Sequence, residues 1–507
     1  MRVAVTREPD LSTRSRRMIA LGILSLSLLM IAIDASILNI ALPRIADDLR
    51  PDATQLLWIV DSYSLTVAAL LVTTAALGDR FGRRRMLRIG LAVFAAATAL
   101  AALSTSPELL ISARVLLGVG AALAMPATLS LLRAVFSDDR ERAFAIGLWS
   151  AVGAAGFVLG PVIGGVILQV AAWPFVFWMQ LPFIALALVA TRRLPEAGGA
   201  GAVSIDPLGV LLSGAGLVSL VWGIKQVGES GLEGSGLTLM GIGVAAIAVF
   251  VLVQLRRAQP MIDVRLFRSV RFSTAALAVL ASNVALAAPL LLLTQQLQIA
   301  QGLDPLPAGL AFLPIAVGAV ISGPFAPQVV RALGMNGAVG GGFLLTSAGL
   351  LVFSTVSVQT PFVLLLVGMV LLGAGVSVAS AAASAALLAA APAERAGNAA
   401  AIQETGYELG LTMGVSVFGS VALASFRANL ELPAGLDPAV VSAVESGLPQ
   451  AAAVLVDQPD LLAMAIDAFS VSFAETMALA ALAALVIAVV ATIALPRDRE
   501  SRSVTEH

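Results

Sequence analysis

Long apolar runs, broken by short polar joints, recur along the whole chain. Fourteen of them read as membrane-spanning helices: 18–38, 54–77, 86–105, 108–132, 143–169, 173–191, 207–227, 236–255, 272–297, 307–329, 335–355, 360–389, 399–425 and 468–495. Each can bridge about 30 Å of hydrocarbon at a rise of about 1.5 Å per residue. The runs are continuous and lack the ten-residue alternation of a barrel, so the pattern predicts helices. Only the end of 360–389, SVASAAASAALLAAAPAE, reads equally as helix or loop. The predicted fold class is all-α integral membrane.

Composition agrees with this pattern. Hydrophobic residues make up 59% of the 507 positions and charged residues 12%. A water-soluble domain carries about 25% charged residues to solvate its surface. There is no cysteine, which excludes a disulfide scaffold and a thiolate metal site, and the one histidine, His507, is the last residue.

Charge placement then fixes a topology. Alternate loops collect 25 basic residues in one set and four in the other (Arg44, Arg50, Lys225 and Arg427), with Arg114 inside a span. Basic residues favour the cytoplasmic side, so the split predicts both termini in the cytoplasm, as a 1–17 tail and a 496–507 tail. The start of the chain does not read as a cleaved signal. The long outward loop 426–467, with Glu431, Asp437, Glu445, Asp457 and Asp460, reads as an extracellular cap on the last helix pair.

A few ionisable residues interrupt the spans. In LMIAIDASILNIALP, residues 29–43, the carboxylate of Asp34 sits inside an otherwise apolar run. Residue counting puts Asp34, Asp61 and Arg114, on three separate spans, all toward the external half. An unpaired charge at a helix centre costs at least about 2–3 kcal/mol. A bundle-interior pocket with mutual neutralisation is therefore the economical arrangement. For Asp61 and Arg114 a structural polar bridge, or a side chain snorkelling to the interface, is an equal reading. A carboxylate balanced between burial and a nearby arginine can exchange a proton and attract a cation. GNAAAIQETGYELG, residues 397–410, adds Glu404 and Glu408 four apart on one helical face, nearer the cytoplasm. Tyr407 and Gln403 read as helix–helix hydrogen-bonding groups, and Glu475, inside the last span, is a further candidate closer to the outer end.

Two local motifs complete the picture. GLWSAVGAAGFVLGPVIGG, residues 147–165, sets Gly156, Gly160 and Gly164 four apart on one face, with Gly147, Gly153, Pro161 and Gly165 around them. Such a face admits close backbone approach by another helix, and Pro161 removes one backbone donor. LGDRFGRRRML, residues 77–87, is a minimal turn with Gly82 at its apex and Asp79 beside Arg80, Arg83, Arg84 and Arg85. It reads as a positive-inside anchor, or as an interhelical charge network holding one cytoplasmic-side conformation.

No HExxH, no GxxxxGK[ST] loop and no internal histidine are present, so no enzyme chemistry is predicted. The arginines follow topology and form no nucleic-acid surface. An ion gradient is the simplest energy source, and no cofactor, metal or obligatory protein partner is inferred.

These residues resemble the major facilitator superfamily, and within it the fourteen-helix drug:proton antiporters. AALGDRFGRRRML matches the loop signature at Asp79, Arg80, Gly82, Arg83 and Arg84, with Ala75 and Gly78 departing from it. The fourth span matches at Arg114, Gly118, Gly120 and Ala122, with Leu117 where glutamine is common. The run from Gly147 to Gly165 matches the antiporter signature, and DASILNIALP matches the first-span signature. With LLWIVDSYSL and LLGVGAALAMPATLSLLR, the set is similar to quaternary-ammonium and dye exporters of Gram-positive bacteria and mycobacteria. The likeness covers about residues 15–496 and weakens in the second half, where GPFAPQVVRALG, residues 323–334, is a degenerate copy of the loop motif.

The resemblance implies two six-helix halves, 18–191 and 272–495, around a central cavity, with 207–255 as an inserted helix pair. It implies a bacterial cytoplasmic membrane and exchange of protons for hydrophobic, mainly cationic compounds. Asp34 and Asp61 then serve cation recognition or coupling and Arg114 assists proton relay. Glu404 and Glu408 are further substrate or proton candidates. Export of a neutral or anionic antibiotic or metabolite is the alternative. An uptake permease is opposed by the glycine–proline span, and a non-transporting scaffold leaves the buried acids unexplained.

Overall fold

A computed structural model describes residues 13–51, 53–197, 206–230, 234–257, 260, 262–356, 362–392 and 395–495. Most of the expected N-terminal tail and all of 496–507 lie outside them. The described elements are helical throughout. In order they are α1 (Arg14–Leu49), α2 (Ala53–Phe81), α3 (Arg83–Ala102), α4 (Pro107–Val135), α5 (Asp139–Val170), α6 (Phe175–Trp178), α7 (Leu181–Ala190), α8 (Pro207–Ser230) and α9 (Gly236–Arg256). They continue with α10 (Val270–Gln295), α11 (Pro305–Leu310), α12 (Leu313–Ser322), α13 (Ala326–Ser354), α14 (Phe362–Ala389), α15 (Ala396–Asn429), α16 (Pro438–Glu445), α17 (Leu448–Val454) and α18 (Pro459–Ala494).

Local chemistry sets the ends of several helices. Ser106 accepts the Leu109 N–H at 3.3 Å and Pro107 opens α4. Asp138 accepts the N–H groups of Arg140 and Glu141 at 3.0 and 2.9 Å and opens α5. Each cap satisfies backbone donors that a first helical turn leaves without partners. Between α2 and α3 the chain reverses at Gly82, whose φ of 97° suits glycine alone.

Among the described residues, twelve helical stretches are long and apolar enough to cross a membrane. Two features separate this number from the fourteen expected spans. The expected spans 307–329 and 335–355 fall within one stretch, Leu306–Ser354, of 49 residues. Within it the helix breaks at Gly334, at φ 79° and ψ 170°. The second feature is α2, in which the described apolar stretch is Trp58–Leu71. The side chains that bound it, Leu57 and Val72, lie outside the described residues.

The chain forms two compact units. One comprises Met1–Gly214, Val251–Arg265 and Ala391–Thr405, and the other Ala215–Phe250, Leu266–Ala390 and Gly406–His507. In the first, α1 packs along α5, and α4 packs against both α2 and α3. In the second, α14 packs against α10, α12 and α13, and α13 also packs along α18. The segment between α15 and α18 folds into α16 and α17, where Val444, Leu448, Ala451 and Leu455 are buried.

Candidate functional site

The first unit buries an ion pair among its helices. Asp34 of α1 is fully buried and Arg114 of α4 is 1% exposed. Arg114 Nη1 donates to Asp34 Oδ2 at 2.8 Å. Its Nε donates to the Ile59 carbonyl of α2 at 3.3 Å, and its guanidinium lies 4.5 Å from the Tyr63 ring centroid. Gln180, at the joint between α6 and α7, donates through Nε2 to Asp34 Oδ1 at 3.4 Å and to the Val176 carbonyl at 3.1 Å. The carboxylate is thus held on both oxygens, and the guanidinium on an edge, a second nitrogen and a face. A buried pair survives desolvation only when its remaining hydrogen-bonding capacity is met in this way.

Asp61 is buried as well. It lies two residues from both Ile59 and Tyr63, about 200° around α2 from each, so its side chain leaves the helix on the side away from Arg114. The structure therefore brings Asp34 and Arg114 together and sets Asp61 on another face of the same unit. Gln180 joins the pair without having been singled out in the sequence. Its only signal was an isolated amide in the apolar stretch WMQLPF.

The glycine face of α5 explains how α1 is held. A Cβ on Gly156 would lie 2.9 Å from Leu29 Cδ1 and 3.2 Å from the Leu29 carbonyl. One on Gly160 would lie 2.9 Å from the Ile33 carbonyl and 3.0 Å from the Ile37 nitrogen. Gly164 faces Ile37 and Ile40, and Gly153 faces Leu28. Asp34 follows Ile33 directly, so backbone contact between α1 and α5 fixes the segment that carries it. Pro161 and Gly165 are buried, Gly147 is half-buried, and α5 runs unbroken through Pro161.

At the α2–α3 turn, Arg83 is buried over Gly78: a Cβ there would lie 2.8 Å from Arg83 Nη1. Glu196 accepts the Arg84 N–H at 2.9 Å and pairs with the Arg84 side chain at 3.5 Å. Arg84 Nη1 also donates to the Leu194 carbonyl at 2.9 Å, and the Arg83 N–H to the Ala197 carbonyl at 2.8 Å. Segment 194–197 therefore caps α3 from a distance, and a carboxylate at a helix start favours the dipole. Arg80 is exposed, 5.4 Å from the Phe81 ring. The Asp79 side chain, central to the expected charge network, lies outside the described residues.

In the second unit the Tyr407 hydroxyl bonds Ser384 at 2.9 Å and Ser380 at 3.2 Å. The side chains of Glu404 and Glu408 lie outside the described residues. Their segment shows a different feature, a second glycine stripe. Cβ atoms on Gly410 and Gly414 would lie 2.8 Å from Asn283 Cβ and 2.9 Å from Ala287 Cβ of α10. α15 thus meets α10 as α5 meets α1. Gly334, the counterpart of Gly82 in the degenerate loop motif, also keeps a positive φ.

Comparison with known proteins accounts for this geometry. The family model described as Major Facilitator Superfamily matches residues 24–415. The chain is 38% identical over 475 residues to the multidrug efflux pump LfrA of Mycolicibacterium smegmatis, covering 92% of this chain and 94% of that protein. It is 34% identical to the methyl viologen resistance protein SmvA of Salmonella typhimurium, covering 86% of this chain and 88% of that one. A crystal structure of the human organic anion transporter MFSD10 shares the fold, with a TM-score of 0.58, 16% identity, and coverage of 93% and 100%. Buried charge within the helices, paired glycine faces and these relatives agree: the chain belongs to the Major Facilitator Superfamily.

Proposed function

We propose that this protein is a proton-coupled exporter of hydrophobic cations, with Asp34 as the group that protons and substrate share. As a member of its superfamily it is a membrane transport protein and not an enzyme. LfrA is named as a multidrug efflux pump and SmvA for resistance to methyl viologen, an organic dication. The first name supports export of several compounds, and the second supports a cationic one.

The observation that carries the reading is the Asp34–Arg114–Gln180 cluster in an apolar helix interior. With Asp34 ionised, Arg114 neutralises it. A proton on Asp34 removes that neutralisation and releases the guanidinium toward Ile59 and Tyr63. An organic cation reaching the same carboxylate competes with both. Proton and cation thus exclude one another, which is the thermodynamic requirement of antiport. Alternating exposure of the site by rocking of two halves converts this competition into transport.

In the topology we propose, the chain crosses the bacterial cytoplasmic membrane fourteen times with both termini inside. α2 is one crossing, and the Leu306–Ser354 stretch supplies two, parted at Gly334. Residues 18–191 and 272–495 are the halves and 207–255 the inserted pair. Asp61, Glu404 and Glu408 are secondary acids for substrate or proton. Asp79, Arg80, Gly82, Arg83 and Arg84 form the cytoplasmic switch, with Glu196 as an added partner of Arg84.

Energised inverted vesicles test the reading. They accumulate ethidium and consume the proton gradient as they do so. Failure of properly inserted protein to move any member of a broad organic-cation panel overturns the substrate class.

A further inference from the structure

We infer that the outer end of α18 carries a membrane-facing binding site for long-chain cationic amphiphiles, with the Glu475 carboxylate receiving the ammonium head. The inference rests on the proposed export of hydrophobic cations and on the proposed orientation. It concerns a surface separate from Asp34.

Glu475 is exposed although it lies within the last apolar span. Val471 and Leu479, one turn to either side, are 45% and 46% exposed, and Leu482 and Val486 are 56% and 52% exposed. Spacing of three and four residues puts all five side chains on one face. The opposite face, with Ala468, Ser472, Phe473, Thr476 and Met477, is buried. A helix face that is apolar and exposed at this position faces lipid, and Glu475 interrupts it.

The carboxylate is organised by its neighbour helix. Ser425 of α15 donates its hydroxyl to Glu475 Oε2. Asn429 donates to the Ser425 carbonyl at 2.9 Å and to its Oγ at 3.3 Å, which turns the hydroxyl proton toward the acid. No basic side chain pairs with Glu475 among the described residues. One carboxylate oxygen is held by Ser425 on a residue that is itself exposed.

Depth selects the ligand. Twenty residues from Glu475 to Leu495 span about 30 Å, the hydrocarbon thickness. With the C-terminus in the cytoplasm, Glu475 stands at the outer boundary between headgroups and acyl chains. An ammonium head placed there lets its alkyl chain descend along Leu479, Leu482 and Val486. Charge separates an alkylammonium ion from a zwitterionic phospholipid. The phosphate of the latter needs a cation on the same face, yet Arg427 lies about 200° around α15 from Ser425 and its Nε donates to the Glu445 carbonyl. The site therefore fits a net cation with a single chain.

The test uses the full chain in nanodiscs of phosphatidylcholine and phosphatidylglycerol. The probe is a hexadecyltrimethylammonium with a photoactivatable diazirine in its tail, and labelled peptides are mapped by mass spectrometry. Labelling is expected along 475–489 and falls about fivefold in Glu475→Gln, the upper range of an exposed ion pair. Glu475→Asp largely retains it, which excludes misfolding as the cause. A neutral diazirine alcohol of equal chain length labels all three proteins alike. Equal labelling of wild type and Glu475→Gln overturns the proposal. So does loss of labelling when phosphatidylethanolamine replaces phosphatidylcholine, which assigns the site to lipid. Ethidium transport by wild type is measured separately in sealed proteoliposomes of the same lipids. If wild type moves no cation at all, the proposed function falls while the labelling result stands by itself.

Discussion

Asp34 and Arg114 are buried and meet at 2.8 Å. Removing Arg114 leaves a buried carboxylate without its counterion, a change that costs about 3–5 kcal/mol in comparable buried pairs. Arg114→Met is therefore expected to lower the thermal unfolding midpoint of the purified protein. Adding Asp34→Asn to that variant should recover about 0.5–3 kcal/mol, the usual coupling range of contacting residues. Additive effects in this double-mutant cycle would refute the pairing as the stabilising contact. Arg114→Lys keeps the charge but loses the second donor to the Ile59 carbonyl and the planar stacking on Tyr63. Its cation transport should fall about tenfold, equivalent to about 1.4 kcal/mol, with insertion unchanged.

Much of this pair was readable without coordinates, since a charge in an apolar run stands out and mutual neutralisation follows from its cost. Gln180 was not readable in the same way. A neutral amide raises no electrostatic alarm, and its link to Asp34 depends on the joint between α6 and α7. Asp61 shows the opposite limit. Residue counting assigns it a depth along α2 but no direction around the helix, which the angle to Tyr63 supplies.

The glycine faces act through backbone contact, which makes them sensitive to position. A Cβ at Gly160 meets the Ile33 carbonyl and the Ile37 nitrogen, which cannot move without parting α1 from α5. Gly160→Val should cost about 1–3 kcal/mol of stability, as overpacking does, and displace Asp34. Gly153→Ala meets only the Leu28 side chain, 2.8 Å from its Cδ2, and a rotamer change accommodates it. Thermal unfolding of the two variants checks this ordering, and equal loss in both would contradict it. Glu196→Ala removes a distant cap from α3 and should cost about 1 kcal/mol, whereas Glu196→Gln keeps an acceptor oxygen and most of that stability. Hydrogen exchange at Arg84 reports the difference. The α5 stripe was legible because Gly156, Gly160 and Gly164 repeat in one motif. The matching stripe on α15 shares its segment with Glu404 and Glu408, whose charges drew the reading. Glu196 escaped notice because its loop carries no motif, and its partner, the start of α3, is 112 positions away.

For the transporter as a whole, apolar periodicity and basic-residue placement carried the class, the helical architecture and the proposed orientation. They gave fourteen crossings against twelve long apolar stretches among the described residues. The difference lies at α2, part of whose side chains lie outside the described residues, and around Gly334, where one apolar stretch contains a backbone break. The central claim is that protons and organic cations exclude one another at Asp34. Substrate-induced proton release from purified protein tests it most directly, with cations compared against neutral and anionic drugs in unbuffered detergent solution. Cations should release protons from wild type and none from Asp34→Asn, while neutral compounds release none from either. Undiminished cation-induced release from a correctly folded Asp34→Asn variant would contradict the account.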